Sequence, residues 1–175
     1  MCSMMRNRTT VLCDASPIIF LAQLNQLELI APVLDGNVVV LECVIDEVLS
    51  ERAGPVELQR LRQWFKGVRI VNYQGSLFSS EALSQSDQSS LAWAVEQQVD
   101  WLVADEPLLR RFAGDQKIPV IGFCGILLRA AAKQILSVET VRSLIDTAIR
   151  EHGFRISIAV YQAILGKLNS VSGSR

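Results

Sequence analysis

Two short apolar runs, Thr10-Val11-Leu12-Cys13 and Trp101-Leu102-Val103-Ala104, each give way directly to an aspartate, and each aspartate is followed within three residues by a proline. Uninterrupted apolar runs of this length belong to strands buried on both faces of a parallel sheet. Proline in the first turn of a helix sacrifices no hydrogen bond. Asp14 and Asp105 therefore stand at strand-to-helix junctions. Ligands bind outside the carboxyl ends of the strands in open parallel sheets, so both acids are placed for chemistry as well as for helix capping.

The rest of the chain repeats this alternation of short apolar runs and longer helical patterns, the signature of βαβ units. Strands are predicted near residues 9–13, 37–41, 68–72, 100–104 and 118–121. Ser16 is expected to cap the first helix with Pro17 at its first position, and a second short helix runs through Leu27, Leu29 and Ile30. Asp35-Gly36-Asn37 turns the chain into the second strand. Helices follow over 42–51 and from Val56 to Phe65. Residues 74–86, rich in Ser, Gln and Gly, are expected to form a mobile loop. Beyond the last strand, 122–133, 138–150 and 156–168 read as three helices that either cover the sheet or build a dimer face.

A chain of 175 residues with 50% hydrophobic composition buries a sizeable core, so a single domain over 1–175 is expected. Mean hydropathy is +0.28, yet no segment approaches the roughly 20 apolar residues of a membrane span. The start of the chain carries no apolar signal-peptide core, which predicts a cytoplasmic protein. Cys2, Cys13, Cys43 and Cys124 form no C-x-x-C pair and read as buried free thiols rather than zinc ligands. A net charge of -1 gives no global nucleic-acid signature. The best candidates for local positive charge are Arg6 and Arg8, the group Arg60, Arg62, Lys66 and Arg69, and the pair Arg110 and Arg111, all of which also read as solvated faces.

Two further acids bear on the site. Asp87 lies four residues before Leu91 and eight before Val95, on the expected buried stripe of a helix, with no Lys or Arg within one turn. Such an acid needs a partner, which a local Asn/Ser network or exposure at the sheet edge would supply. In the helix over 42–51, Asp46 and Glu47 flank the stripe of Val44, Ile45, Val48 and Leu49 equally, and pattern alone does not choose between them. If three or four acids converge, each pair about 4 Å apart repels by roughly 4 kcal/mol at an effective dielectric near 20. A divalent cation relieves that repulsion, and an all-oxygen donor set suits Mg²⁺ or Mn²⁺. A phosphatase with Asp14 as nucleophile would want a second aspartate where Ser16 stands, and a lysine where none precedes Lys66. His152, the only histidine, reads as a helix-end residue.

The segments Val11-Leu12-Cys13-Asp14-Ala15-Ser16-Pro17-Ile18-Ile19, Val44-Ile45-Asp46-Glu47-Val48-Leu49, Asp87 before Leu91-Ala92-Trp93-Ala94, and Leu102-Val103-Ala104-Asp105-Glu106 resemble the four acidic motifs of PIN-domain nucleases over about 9–121. The tail, Ile121-Gly122-Phe123-Cys124-Gly125-Ile126-Leu127-Leu128-Arg129-Ala130 and Gly153-Phe154-Arg155-Ile156-Ser157, resembles a prokaryotic subgroup close to VapC-type toxins, with helices over about 122–169. The resemblance implies a three-layer α/β/α domain with a central parallel sheet of about five strands. It implies an endoribonuclease whose Asp14, Glu47, Asp87 and Asp105 hold Mg²⁺ or Mn²⁺ and whose Ser16 hydroxyl supports the first acid, and it is what selects Glu47 over Asp46. Arg110 and Arg111 are the candidate substrate or support residues. Expected partners are RNA, a second copy in a homodimer and a small antitoxin-like protein, with Trp93 read equally as a contact for such a partner or as packing under the C-terminal helices. The chain departs from the subgroup at Leu41, where proline is usual, and at Ser86-Asp87-Gln88-Ser89, where Gly-Glu-x-Glu is common. The same departure motivates a non-catalytic RNA-binding or protein-interaction module as the alternative.

Overall fold

The computed structural model of the protein describes residues 9–50 and 54–172. Arg6, Arg8, Cys2 and the expected end of the helix over 42–51 lie outside them. Five strands, β1 (Thr9–Cys13), β2 (Gly36–Leu41), β3 (Arg69–Val71), β4 (Trp101–Val103) and β5 (Val120–Ile121), form one parallel sheet in the order β3-β2-β1-β4-β5. The central strand explains its own composition: Val11, Leu12 and Cys13 are fully buried between two neighbours and two helical layers. The β1–β2 register pairs Thr9 with Gly36. A Cβ at Gly36 would lie 2.6 Å from Val11 Cγ2 and 2.7 Å from the Thr9 carbonyl oxygen, so only glycine admits β2 this close to β1. Asp35 before it supplies the left-handed turn, at φ 52°.

The helices follow the strands in the alternating way the sequence predicts. α1 (Ala15–Gln23) and α2 (Ile30–Leu34) join β1 to β2, and α3 (Glu42–Ser50) and α4 (Pro55–Phe65) join β2 to β3. On the return, α5 (Gln85–Gln97) crosses from β3 to β4, and α6 (Pro107–Asp115) from β4 to β5. α1 packs on α3 and α4, while α5 packs on α6. The result is the expected three-layer α/β/α arrangement. Because connections run one way from β1 and the other way from β4, the carboxyl ends of these neighbouring strands flank the topological switch point, where open α/β sheets hold their ligands.

α7 (Phe123–Ala132), α8 (Val138–Glu151) and α9 (Ile158–Ser172) complete the chain. This helical end packs on the body of the fold: α7 packs on α1 and α2, and α8 and α9 pack on α7 and on each other. Arg129 Nε donates to the Val33 carbonyl at 3.0 Å and its guanidinium stacks over Trp101 at 5.3 Å, which ties α7 to both α2 and β4. His152 is the C-terminal cap residue of α8, as expected. Among the described residues no helix is long and apolar enough to cross a membrane.

Three local expectations are corrected. Asp14, not Ser16, is the N-terminal cap residue of α1, which places Ser16 and Pro17 inside the first turn. Trp93 is buried, at 4% exposure, so it offers no surface to a partner. Val95, placed on the core stripe by its spacing, is 38% exposed.

Candidate active site

Asp14 follows the central strand and is itself 4% exposed. Its backbone N–H donates to the Val103 carbonyl at 2.9 Å, continuing the β1–β4 ladder one residue beyond the strand and fixing the side chain over the switch point. Although it occupies a cap position, the carboxylate makes no capping hydrogen bond, and its Oδ1 is buried without a hydrogen-bond partner, the Ser16 hydroxyl included. A buried, unsatisfied carboxylate oxygen costs free energy unless something outside the chain completes it. Burial is the largest influence on this group, followed by the nearby charges of Asp87 and Glu47. Together with a smaller push from Asp105 they raise its pKa to about 8, against a weaker opposing pull from the Ala15 N–H. The four predicted acids therefore share one electrostatic field.

Asp105 is held differently. Glu106 caps α6, its carboxylate accepting from the Leu108 N–H at 3.4 Å, with Pro107 in the first turn. Asp105 is thereby freed from capping. Its Oδ1 accepts the N–H of Phe123 at 3.0 Å, at the start of α7, and its Oδ2 is buried without a partner. Burial raises its pKa, while the Phe123 N–H and the Arg110 guanidinium pull it back. Arg110 Nη1 donates to the Ala104 carbonyl at 2.8 Å, so this side chain is anchored beside Asp105. Arg111 is exposed on the same helix. Gly122 leaves room for this arrangement. A Cβ there would fall 2.3 Å from Asp105 Oδ1 and 3.0 Å from Arg110 Nη1.

Asp87 has found a local partner. Ser84 caps α5, its hydroxyl accepting the Asp87 N–H at 3.1 Å, and Asp87 Oδ2 accepts from the Ser84 N–H at 3.2 Å and from its hydroxyl at 2.8 Å. This capping box explains an acid next to an apolar helix without an ion pair. Glu47 is exposed on α3 and lines a cleft of about 590 Å³ with residues of the β3–α5 segment and the start of α5. Ser89, where the subgroup commonly carries an acid, is buried and its hydroxyl donates to the Gln85 carbonyl at 3.0 Å.

The donors are thus hard oxygens, and two of them, Asp14 Oδ1 and Asp105 Oδ2, are orphaned. That chemistry fits Mg²⁺ or Mn²⁺, which takes one or two carboxylates and keeps several waters. No group of three or more His, Cys, Asp or Glu side chains among the described residues is arranged as a metal cage. Gly122 and the Phe123 N–H were missed as part of the site. Their signal was a glycine between an apolar strand and a helix, which points to close backbone approach but not to what approaches.

No curated protein matches the sequence. A PilT N-terminus domain protein from the hyperthermophilic archaeon Sulfolobus solfataricus P2 aligns in structure with 85% of this chain and 100% of its own, at 13% sequence identity and a TM-score of 0.49. The family model described as DUF3368, PIN domain, matches residues 10–170. The chain belongs to the PIN-domain family.

Proposed function

We propose that the chain is a metal-dependent endoribonuclease, in which Asp14 and Asp105 are the principal ligands of Mg²⁺ or Mn²⁺ and Glu47 and Asp87 complete the acidic wall or orient the attacking water. PIN domains are typically nucleases. The observation that carries the reading is Asp14, buried over the switch point with an unpartnered Oδ1 and surrounded by the charges of Asp87, Glu47 and Asp105. When bound, the cation supplies charge neutralisation and polarises water and phosphoryl oxygen. The chain's own contribution is positional. The Phe123 N–H and Arg110 hold Asp105, the β1–β4 ladder holds Asp14, and Arg111 supplies an exposed positive charge for the substrate's phosphates. The proposal extends to a toxin-like role, with a small antitoxin-like partner and a homodimer. The exposure of Ile158 (78%) and Val160 (48%) on α9 supports an apolar surface suited to one of these contacts.

Asp14→Asn is expected to abolish Mn²⁺-stimulated RNA cleavage while circular dichroism shows an intact fold. Undiminished cleavage by this variant refutes the reading. The alternative, a non-catalytic RNA-binding or protein-interaction module, is favoured by the commitment of Asp87 to its capping box and by Ser89 in place of an acid. Calorimetric titration separates the two: no uptake of Mg²⁺ or Mn²⁺ at millimolar concentration favours the module.

A further inference from the structure

Arg110 is exposed, yet its guanidinium is held in one place. It stands at the end of the first turn of α6, and helical side chains lean toward the N-terminus of their helix, so it reaches back over the junction between β4 and α6. There Nη1 donates to the Ala104 carbonyl, the last before Asp105, at 2.8 Å. A guanidinium carries five N–H donors in a rigid fork, so one neutral carbonyl neither exhausts the donors nor cancels the charge. Arg111 projects about 100° further round the helix and points away from this anchor.

Asp105 and Arg110 flank one small gap. A Cβ on Gly122 would stand 2.3 Å from Asp105 Oδ1 and 3.0 Å from Arg110 Nη1. Asp105 Oδ1 takes the Phe123 N–H at 3.0 Å, and the guanidinium lowers the pKa of this carboxyl through its charge. The unpartnered oxygen, to which a cation would be drawn, is the other one, Oδ2. Arg110 is thereby set to one side of the place where a linkage would be held for cutting. Every linkage of a nucleic-acid backbone carries a negative charge, so the group that arrives on that side is the next phosphate along the strand.

We infer that Arg110 binds the phosphate adjoining the linkage held at the acids, and so fixes which linkage is cut. The inference rests on the nuclease reading and adds to it a substrate requirement: a linkage without a charged neighbour on that side is cut poorly. The anchored fork suits this task, since a planar guanidinium takes two phosphate oxygens at once and its tie to the β4 end sets the distance to Asp105.

Short RNAs in which one phosphate at a time is replaced by an uncharged methylphosphonate test it, each placed after a 2′-deoxy residue and compared with the matching 2′-deoxy phosphodiester. Mn²⁺-dependent cleavage and fluorescence anisotropy without added metal are both read. In wild type, neutralising the linkage beside the cut one should weaken binding and slow cleavage by roughly tenfold. Arg110→Gln should lose that position-specific sensitivity, Arg110→Lys should regain part of it, and Arg111→Gln should keep it. The slope of log affinity against log salt should shrink by about 0.7 in Arg110→Gln. Its calorimetric Mn²⁺ affinity should not fall, because the Phe123 N–H still holds Asp105 and a like charge has left the cation's neighbourhood. Wild type that ignores every neighbouring linkage overturns the inference, as does undiminished sensitivity in Arg110→Gln. A fall in Mn²⁺ affinity that matches the fall in cleavage also overturns it, since Arg110 would then act only by holding Asp105. Position-specific, Arg110-dependent binding without any cleavage sinks the nuclease reading alone and leaves the phosphate contact standing.

Discussion

Asp14 shows how much one residue's position asks of the fold. The main cause of its raised pKa is burial, and the charges of Asp87 and Glu47 come next, so the carboxyl moves from an ordinary 3.8 to about 8. Between those pH values the folded chain holds a proton that the unfolded chain has released. Its contribution therefore makes stability fall as pH climbs through that window, and level off above about 8. One proton's difference amounts to ~1.4 kcal/mol per pH unit. Asp14→Asn removes the titrating group, so the variant should melt above wild type at pH 8 and close to it at pH 4. Mn²⁺ should raise the wild-type melting temperature at pH 8 and leave the variant's unchanged. Parallel pH profiles for the two proteins would contradict the assignment of this burial cost to Asp14.

At the scale of elements, what was legible was local. Strand ends announce themselves through apolar runs, so the sequence alone marks Asp14 and Asp105, and strands predicted at 9–13 and 37–41 differ from β1 and β2 by at most one residue. α5 was read less well. A stripe of Asp87, Leu91 and Val95 was expected, but the helix buries Ser89 through Ala94 and leaves Val95 at the surface, because it is enclosed along its middle rather than along one face. The capping box was present in Ser84-Gln85-Ser86-Asp87 and explains Asp87 better than the stripe did. Glu47 could not be separated from Asp46 by periodicity, since both are exposed on α3. Contacts between elements far apart in sequence leave only partial local traces: Gly122 marks a close approach before α7, but nothing local identifies Asp105 as the group that approaches. Gly122→Ala tests the hold of α7 on Asp105: its Cβ would collide with Asp105 Oδ1 and crowd Arg110. Such overpacking costs ~1–3 kcal/mol. With Asp105 in its proposed role as a metal ligand, displacement of this outer contact should weaken calorimetric Mn²⁺ affinity by about 10- to 100-fold. Retention of wild-type affinity by a folded Gly122→Ala protein would show that Asp105 does not depend on the start of α7.

For the whole molecule, the same junction packs the helical end against the helices that flank β1. Phe123, the first residue of α7, is fully buried and its ring packs at 5.7 Å from Phe20 of α1 and 4.9 Å from Phe154, which follows α8. Phe154 in turn meets Phe20 edge-on at 4.8 Å. Three rings from α1, α7 and the α8–α9 connection thus close one aromatic cluster. The backbone N–H of Phe123 is the group that orients Asp105, so the packing that seats this ring also seats the acid. Residues 9–50 and 54–172 should accordingly unfold together, with the signal from the tryptophans of α4, α5 and β4 coinciding with the loss of helix. Phe154→Ala opens a cavity in the cluster and should destabilise this single transition by ~3–5 kcal/mol. It should also lower metal-dependent cleavage more than a comparable cavity cut in α4, for which Leu61→Ala serves as the control. If denaturation of the wild-type chain instead resolves into two transitions, with the earlier one shifted by Phe154→Ala and the site unaffected, then the helices after β5 are a separate cooperative unit and Asp105 is held by the sheet alone.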